Sequence, residues 1–227
     1  MARPDEWRQL DRAIETCRLC PRLVAHRETI AVEKRRQYRD WDYWGRPLPG
    51  FGDPAARLLI VGLAPAAHGA NRTGRMFTGD RSGDWLYDAL HDVGMANQPR
   101  STDRDDGLRL RDAYVSAVAR CAPPANRPTP EECERCRPYL VREIELLENL
   151  RVVLALGQIG MKGFLAAWRQ MGRPLPRPLP RFAHGAIADL GDATLISSYH
   201  PSQQNTFTGR LTRPMFRGVF RRAAALL

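Results

Sequence analysis

At 227 residues the chain suits one domain with a sizeable core, below the roughly 250–300 residues at which single cores stop growing. Lys and Arg number 35 against 25 Asp and Glu, a formal net charge of +10, and every base except Lys34 and Lys162 is Arg, whose fork donates bidentately to phosphate. No apolar run approaches the roughly 18 residues that span a bilayer, and the N-terminal stretch mixes Asp5, Glu6, Asp11 and Glu15 with Arg, unlike a signal or transit peptide. The expectation is a cytoplasmic protein with a polyanionic partner and no membrane.

Taken in chain order, Asp5–Cys17 reads as a helix with Trp7, Leu10 and Ile14 on one face. Leu58–Leu63, Ala113–Ala119, Val152–Leu156 and Thr194–Tyr199 are short apolar or β-branched runs of the buried-strand kind. Between them fall the helical patterns Ser82–Val93, Thr129–Leu150 and Met161–Gln170, and Phe216–Leu227 closes the chain. Thr129-Pro130-Glu131-Glu132 is a helix start, with a capping Thr, Pro at the first position and acids in the first turn. Segments 34–53 and 171–185, rich in Pro, Gly, Arg and aromatics, read as surface excursions rather than linkers. The alternation predicts one α/β domain over residues 1–227, a three-layer α/β/α sandwich around a mostly parallel, about four-stranded central sheet. In such sheets ligands bind beyond the carboxyl ends of the strands. There each run meets an unusual segment: Gly62-Leu63-Ala64-Pro65, Arg120-Cys121-Ala122-Pro123-Pro124, Gly157-Gln158 and His200-Pro201-Ser202.

Inside a cell, five cysteines suggest metal ligands or free thiols rather than a disulfide framework. Cys17-Arg-Leu-Cys20 lets two thiolates reach one metal. Two completions compete on spacing: Cys133 and Cys136 for a tetrahedral zinc, or Cys121 and Cys136 for a four-thiolate iron–sulfur cluster. The richest polar stretch, Gly62 to Asp80, leaves the first strand with several glycines, Asn71, Arg72, Arg75, Phe77 and a carboxylate. Asp80 also sits where a helix cap is needed, Phe77 could belong to the core, and Asn126 lies in a Pro-flanked turn. A second stretch, Tyr199-His200-Pro201-Ser202-Gln203-Gln204-Asn205-Thr206, leaves the last strand. Gly157-x-x-Gly160-x-x-Gly163 lacks the Lys-Ser/Thr of a phosphate-binding loop, which counts against a nucleotide hydrolase.

Gly62–Asp80, Arg120–Pro130, Cys136-Arg-Pro-Tyr139-Leu140 and His200–Thr212, together with Cys17–Cys20, resemble in this order the uracil-DNA glycosylase superfamily, in particular its family 5 (type B, iron–sulfur) branch. The resemblance implies an α/β fold and a [4Fe–4S] cluster on Cys17, Cys20, Cys121 and Cys136, with Cys133 an extra. It implies a base pocket at Gly62, Ala64 and Phe77, chemistry carried by Asp80, His200 and Asn126, and DNA contacts from Arg72, Arg75, Gln203, Asn205 and Arg210. Gln203 and Gln204 lie where the superfamily wedges the duplex open. The implied activity is hydrolysis of the N-glycosidic bond of uracil in DNA after base flipping, by a monomer working at the nucleoid. The chain departs from other branches: Leu63, Ala64, Pro65 and Ala66 supply no polar side chain after the first strand, and Ser116-Ala117 stands where a related branch has a uracil-reading Asn. A pocket without a directed donor pair rejects fewer analogues, so hypoxanthine and other deaminated bases are expected substrates. The competing reading is a non-catalytic, metal-stapled nucleic-acid-binding module.

Overall fold

The computed structural model describes residues 4–227. Its centre is four parallel strands, β2 (Leu58–Gly62), β3 (Ala113–Ala117), β4 (Val152–Leu156) and β6 (Thr194–Ser198), matching the four apolar runs. Two short antiparallel strands, β1 (Phe51–Gly52) and β5 (Ile187–Asp189), extend the edges, so the sheet has six strands in the order β1-β3-β2-β4-β6-β5 rather than about four.

The parallel strands are buried on both faces, and their side chains alternate between two cores with period two. Leu58, Ile60, Val115, Leu154 and Ile196 face one core with helices α4 (Arg81–Asp92) and α8 (Arg213–Ala224). Leu59, Val61, Val153, Ala155 and Leu195 face the other, beneath α1 (Pro4–Glu15), α5 (Pro130–Leu146) and α6 (Gly157–Gln170). The expected three layers are present. Trp7, Leu10 and Ile14 form the buried face of α1, and Thr129 and Glu132 close a capping box on α5. The glycines of α6 serve packing: a Cβ on Gly160 would stand 2.7 Å from the Val61 carbonyl oxygen, and one on Gly163 2.3 Å from a Val118 methyl.

The sheet order places β2 between β3 and β4, so the chain steps from β2 to β3 on one side and then crosses back over β2 to β4 on the other. That reversal opens a crevice at the carboxyl rim. Gly62, Ala117, Leu156 and Ser198 end their strands there in register. Three further helices, α2 (Pro21–Glu33), α3 (Ala70–Thr73) and α7 (Gln203–Phe207), lie outside the sequence expectation. Among the described residues no helix is long and apolar enough to cross a membrane.

Candidate active site

The loop from β2 to α4 folds back over the crevice because glycines let its parts approach. A Cβ on Gly62 would lie 2.6 Å from the tip of the Phe77 ring, so the bare Gly62 admits that ring against the end of β2. Phe77 takes a left-handed backbone conformation (φ 53°), unusual for a bulky residue and costing roughly 1–3 kcal/mol. The turn delivers the ring to the crevice, 6.0 Å from the His200 imidazole at 30°.

His200 leaves β6 as the chain turns toward α7. Its carbonyl accepts from Asn205 Nδ2 at 2.8 Å, and the Pro201 carbonyl accepts from Ser82 Oγ at 3.2 Å, fixing the turn to α4. Asn205 Nδ2 thus helps to hold the His200 turn. Loss of solvent around the imidazole pushes its pKa down to about 4, so His200 is neutral at pH 7 and donates one N–H.

Asp80 serves as both cap and crevice group. Its Oδ1 accepts from the Gly83 amide at 3.0 Å, capping α4. Its Oδ2 faces the other way: a Cβ on Gly69 would come within 2.3 Å of it, so the carboxylate presses on the bare backbone of the β2–α4 loop. Burial raises its pKa, opposed by the amides of Gly83 and Ser82. Asn126 sits in an exposed 3₁₀ turn (Pro124–Asn126), with φ 55° following Ala125 at φ 52°.

The arginines of the loop are not on the surface. Arg72 is 4% exposed; its Nε donates to the His68 carbonyl at 2.9 Å and its Nη2 to the Gly79 carbonyl at 3.1 Å. Its guanidinium carbon lies 4.0 Å from the ring centres of both Tyr38 and Trp41. Arg75 is 5% exposed, paired with Asp106 at 2.7 Å, bonded to Ser101 Oγ at 2.8 Å and to the Arg104 carbonyl. Both therefore brace the loop in this arrangement, contrary to the expected phosphate contacts. Arg210 remains exposed beside the Tyr199 ring (4.5 Å), and Gln203 and Gln204 are exposed on α7.

Two groups escaped the sequence reading. Phe207 is 66% exposed at the end of α7, and Arg81 lies 4.5 Å above its ring while donating to Thr206 Oγ1 at 3.2 Å. Nothing in the local sequence pattern sets either residue apart.

The thiols of Cys20, Cys121 and Cys136 are buried, and Cys20 packs with Leu23 and Cys121. Burial pushes Cys121 up to about 12 and Cys136 up to about 11, and each feels the charges of Cys17 and Cys20. Burial also raises the Cys133 thiol, with the charges of Glu132 and Cys20 adding to the effect. Among the described residues no group of three or more His, Cys, Asp or Glu could hold a single metal ion. Cations ring the thiols: Arg27 beside Cys121, Arg120 beside Cys136 and Arg135 beside Cys20. Arg120 itself forms a bidentate, fully buried pair with Glu143 at 2.8 and 2.6 Å.

A doubly wound α/β sheet with an aromatic, a neutral imidazole and a capping carboxylate at its carboxyl rim defines a crevice enzyme built to hold a planar group. The chain belongs to the uracil DNA glycosylase superfamily, which residues 49–224 match. It is 53% identical over 224 residues to the type-5 uracil-DNA glycosylase of Mycobacterium leprae, covering 96% of this chain and 94% of that protein. To the type-5 uracil-DNA glycosylase of Thermus thermophilus it is 50% identical over 216 residues, 94% of each. The type-4 uracil-DNA glycosylase of Pyrobaculum aerophilum is more distant, at 31% over 185 residues, 81% of this chain and 83% of that protein.

Proposed function

We propose that the protein hydrolyses the N-glycosidic bond of uracil in DNA, leaving an abasic site, and that its pocket also accepts hypoxanthine and other deaminated bases. The observation that carries the reading is the Phe77–His200 pair at the carboxyl rim, in a chain that matches type-5 relatives over nearly its whole length.

A base stacked in duplex cannot reach this crevice, so the nucleotide must flip out. Phe77 then stacks on the base. As the bond between C1′ and the base nitrogen breaks, its electron pair stays on the base. Neutral His200 donates a hydrogen bond to the developing oxyanion, a preorganised contribution of about 3–4 kcal/mol. Asp80 Oδ2 stabilises the cationic sugar and orients water, whose oxygen bonds to C1′ while its proton leaves for solvent or the base. Asn126 enters this arrangement from its exposed turn. Broad base choice follows from the apolar Leu63–Ala66 stretch, which offers no side chain to read one base edge.

Arg81, Phe207, Gln203, Gln204 and Arg210 form the DNA-facing wall beside His200. The exposed Phe207 is suited to replace stacking lost when the base departs. One protein copy acts on the nucleoid DNA of the cytoplasm.

The thiols of Cys17, Cys20, Cys121 and Cys136 would hold a [4Fe–4S] cluster. Supporting this are the burial of Cys20, Cys121 and Cys136, the packing of Cys20 with Cys121, and the arginines near them, which suit an anionic thiolate cluster. A single zinc would need the four sulfurs within about 3.8 Å of one another. The cluster would supply a structural link: Arg22, two residues past Cys20, pairs with Glu132 at 2.6 Å and donates to the Arg127 carbonyl at 3.1 Å, beside Asn126.

Duplexes carrying one uracil or one hypoxanthine, treated with alkali after incubation, test the reading. Strand breaks at the lesion in both, lost in His200→Ala, are expected. Intact strands with a folded, DNA-binding protein would leave only a binding module.

A further inference from the structure

Between α2 and β1 the chain forms an arm, residues 34–46, that the chemistry above does not use. It carries Lys34, Arg35, Arg36, Arg39 and Arg46 against Asp40 and Asp42. Arg35, Arg36 and Arg39 are exposed and, with Gln37 and Asp40, line an open cleft of about 690 Å³. Among the described residues none of the three guanidinium groups is in an ion pair. The arginines of α8 behave differently: Arg213 and Arg217 pair with Asp88, and Arg221 pairs with Asp92, so that face is largely neutralised from within.

The arm is fastened to the catalytic loop by several independent contacts. The Trp44 amide donates to the Arg72 carbonyl at 3.0 Å and the Gly45 amide to the Asn71 carbonyl at 3.1 Å. Tyr43 Oη meets His68 Nδ1 at 3.1 Å. Tyr38 and Trp41 both contact the guanidinium of Arg72, and buried Arg27 donates to the Gly45 carbonyl at 2.6 Å. These contacts hold the exposed bases in a set position relative to Phe77 and Asp80. The same loop is tied at its other end to the α7 wall through Ser82 and Arg81. Positive charge gathers where arm and loop meet: His68 is held below its usual range by burial, with Arg35, Arg72 and His26 adding to the effect.

We propose that the arm is a second DNA-binding surface, gripping the phosphate backbone of the duplex flanking the flipped nucleotide through Arg35, Arg36 and Arg39. This rests on DNA being the partner. The Arg72 side chain, buried beneath Tyr38 and Trp41, carries the arm rather than touching phosphate itself. The arm thereby extends the footprint away from the α7 wall and adds affinity without reading sequence.

The test uses the full chain, a dye-labelled undamaged duplex and a salt titration from about 50 to 200 mM. Each phosphate contact contributes roughly 0.9 to the slope of log affinity against log salt. The combined Arg35→Ala, Arg36→Ala, Arg39→Ala variant should lower the slope by about 2–3 and weaken binding roughly tenfold or more. The matching triple Lys variant should restore most of the slope. Single-turnover release of uracil at saturating enzyme should stay at the wild-type rate. An unchanged slope in the alanine variant overturns the proposal, even if uracil is released normally. A lowered slope in a protein that releases no base would retain the surface and remove the glycosylase reading instead.

Discussion

The α4 cap made by Asp80 and the catalytic role proposed for it are separable by substitution. Its Oδ1 caps α4 through the Gly83 amide at 3.0 Å, while Oδ2 faces the Gly69 backbone in the crevice. Serine can accept the same amide bond but carries no charge. Asp80→Ala should lose the cap, about 1 kcal/mol, and lower Tm by about 2–4 °C in a chain of this size. Asp80→Ser should keep it. Burial raises the Asp80 pKa, so the folded state holds its proton to higher pH than the unfolded chain, and stability falls as pH rises through that window. Above the raised value the buried charge is a cost, and serine removes it, so Asp80→Ser should melt no lower than the parent at pH 7. Its single-turnover excision of uracil, followed by alkaline cleavage, should nevertheless fall by about 10²–10³, the usual effect of removing one group aimed at transition-state charge. A serine variant of normal stability that excises at the parent rate would refute the catalytic half and leave Asp80 a cap.

His200→Ala should slow excision by about 10²–10³ with little change in Tm, measured in the same single-turnover format. Because the His200 pKa is pushed down to about 4, excision should show no break near pH 6.5 from this group. The unfolded chain takes up that proton first, so His200 destabilises the fold progressively as pH drops from about 6.5 toward 4, visible as a falling urea midpoint. Glu143→Ala strands the buried Arg120 charge (Arg120 1% and Glu143 0% exposed) and should cost about 3–5 kcal/mol in urea unfolding. Cys121→Ser should abolish iron and acid-labile sulfide content, while Cys133→Ser should keep both; equal loss from the two would remove the proposed ligand set.

The parallel core was legible because both its faces are buried, leaving continuous apolar runs that end in Gly, Pro or His. The edge strands were not: Phe51–Gly52 is two residues long, and Ile187–Asp189 is largely exposed. Helix α2 escaped because only Leu23, Val24 and Arg27 are buried, too few to mark an apolar stripe. Glycines and ligand-type side chains announced the β2–α4 loop as a site. Sequence could not say which way its arginines turn, since Arg72 lies against Tyr38 and Trp41, more than thirty positions earlier in the chain. Asp80 was legible as a cap, and its Oδ1 accepts from the Gly83 amide, while its Oδ2 lies against the bare Gly69 backbone. Phe207 was hidden because an exposed aromatic in a polar run has no pattern to set it apart.

The most direct measurement is mass spectrometry of the products from a duplex carrying one uracil, with no alkali added. The account predicts free uracil and an unbroken strand bearing an abasic site, both absent with His200→Ala. A folded, DNA-binding protein that leaves uracil attached, or an alanine variant that releases it at the parent rate, would contradict it.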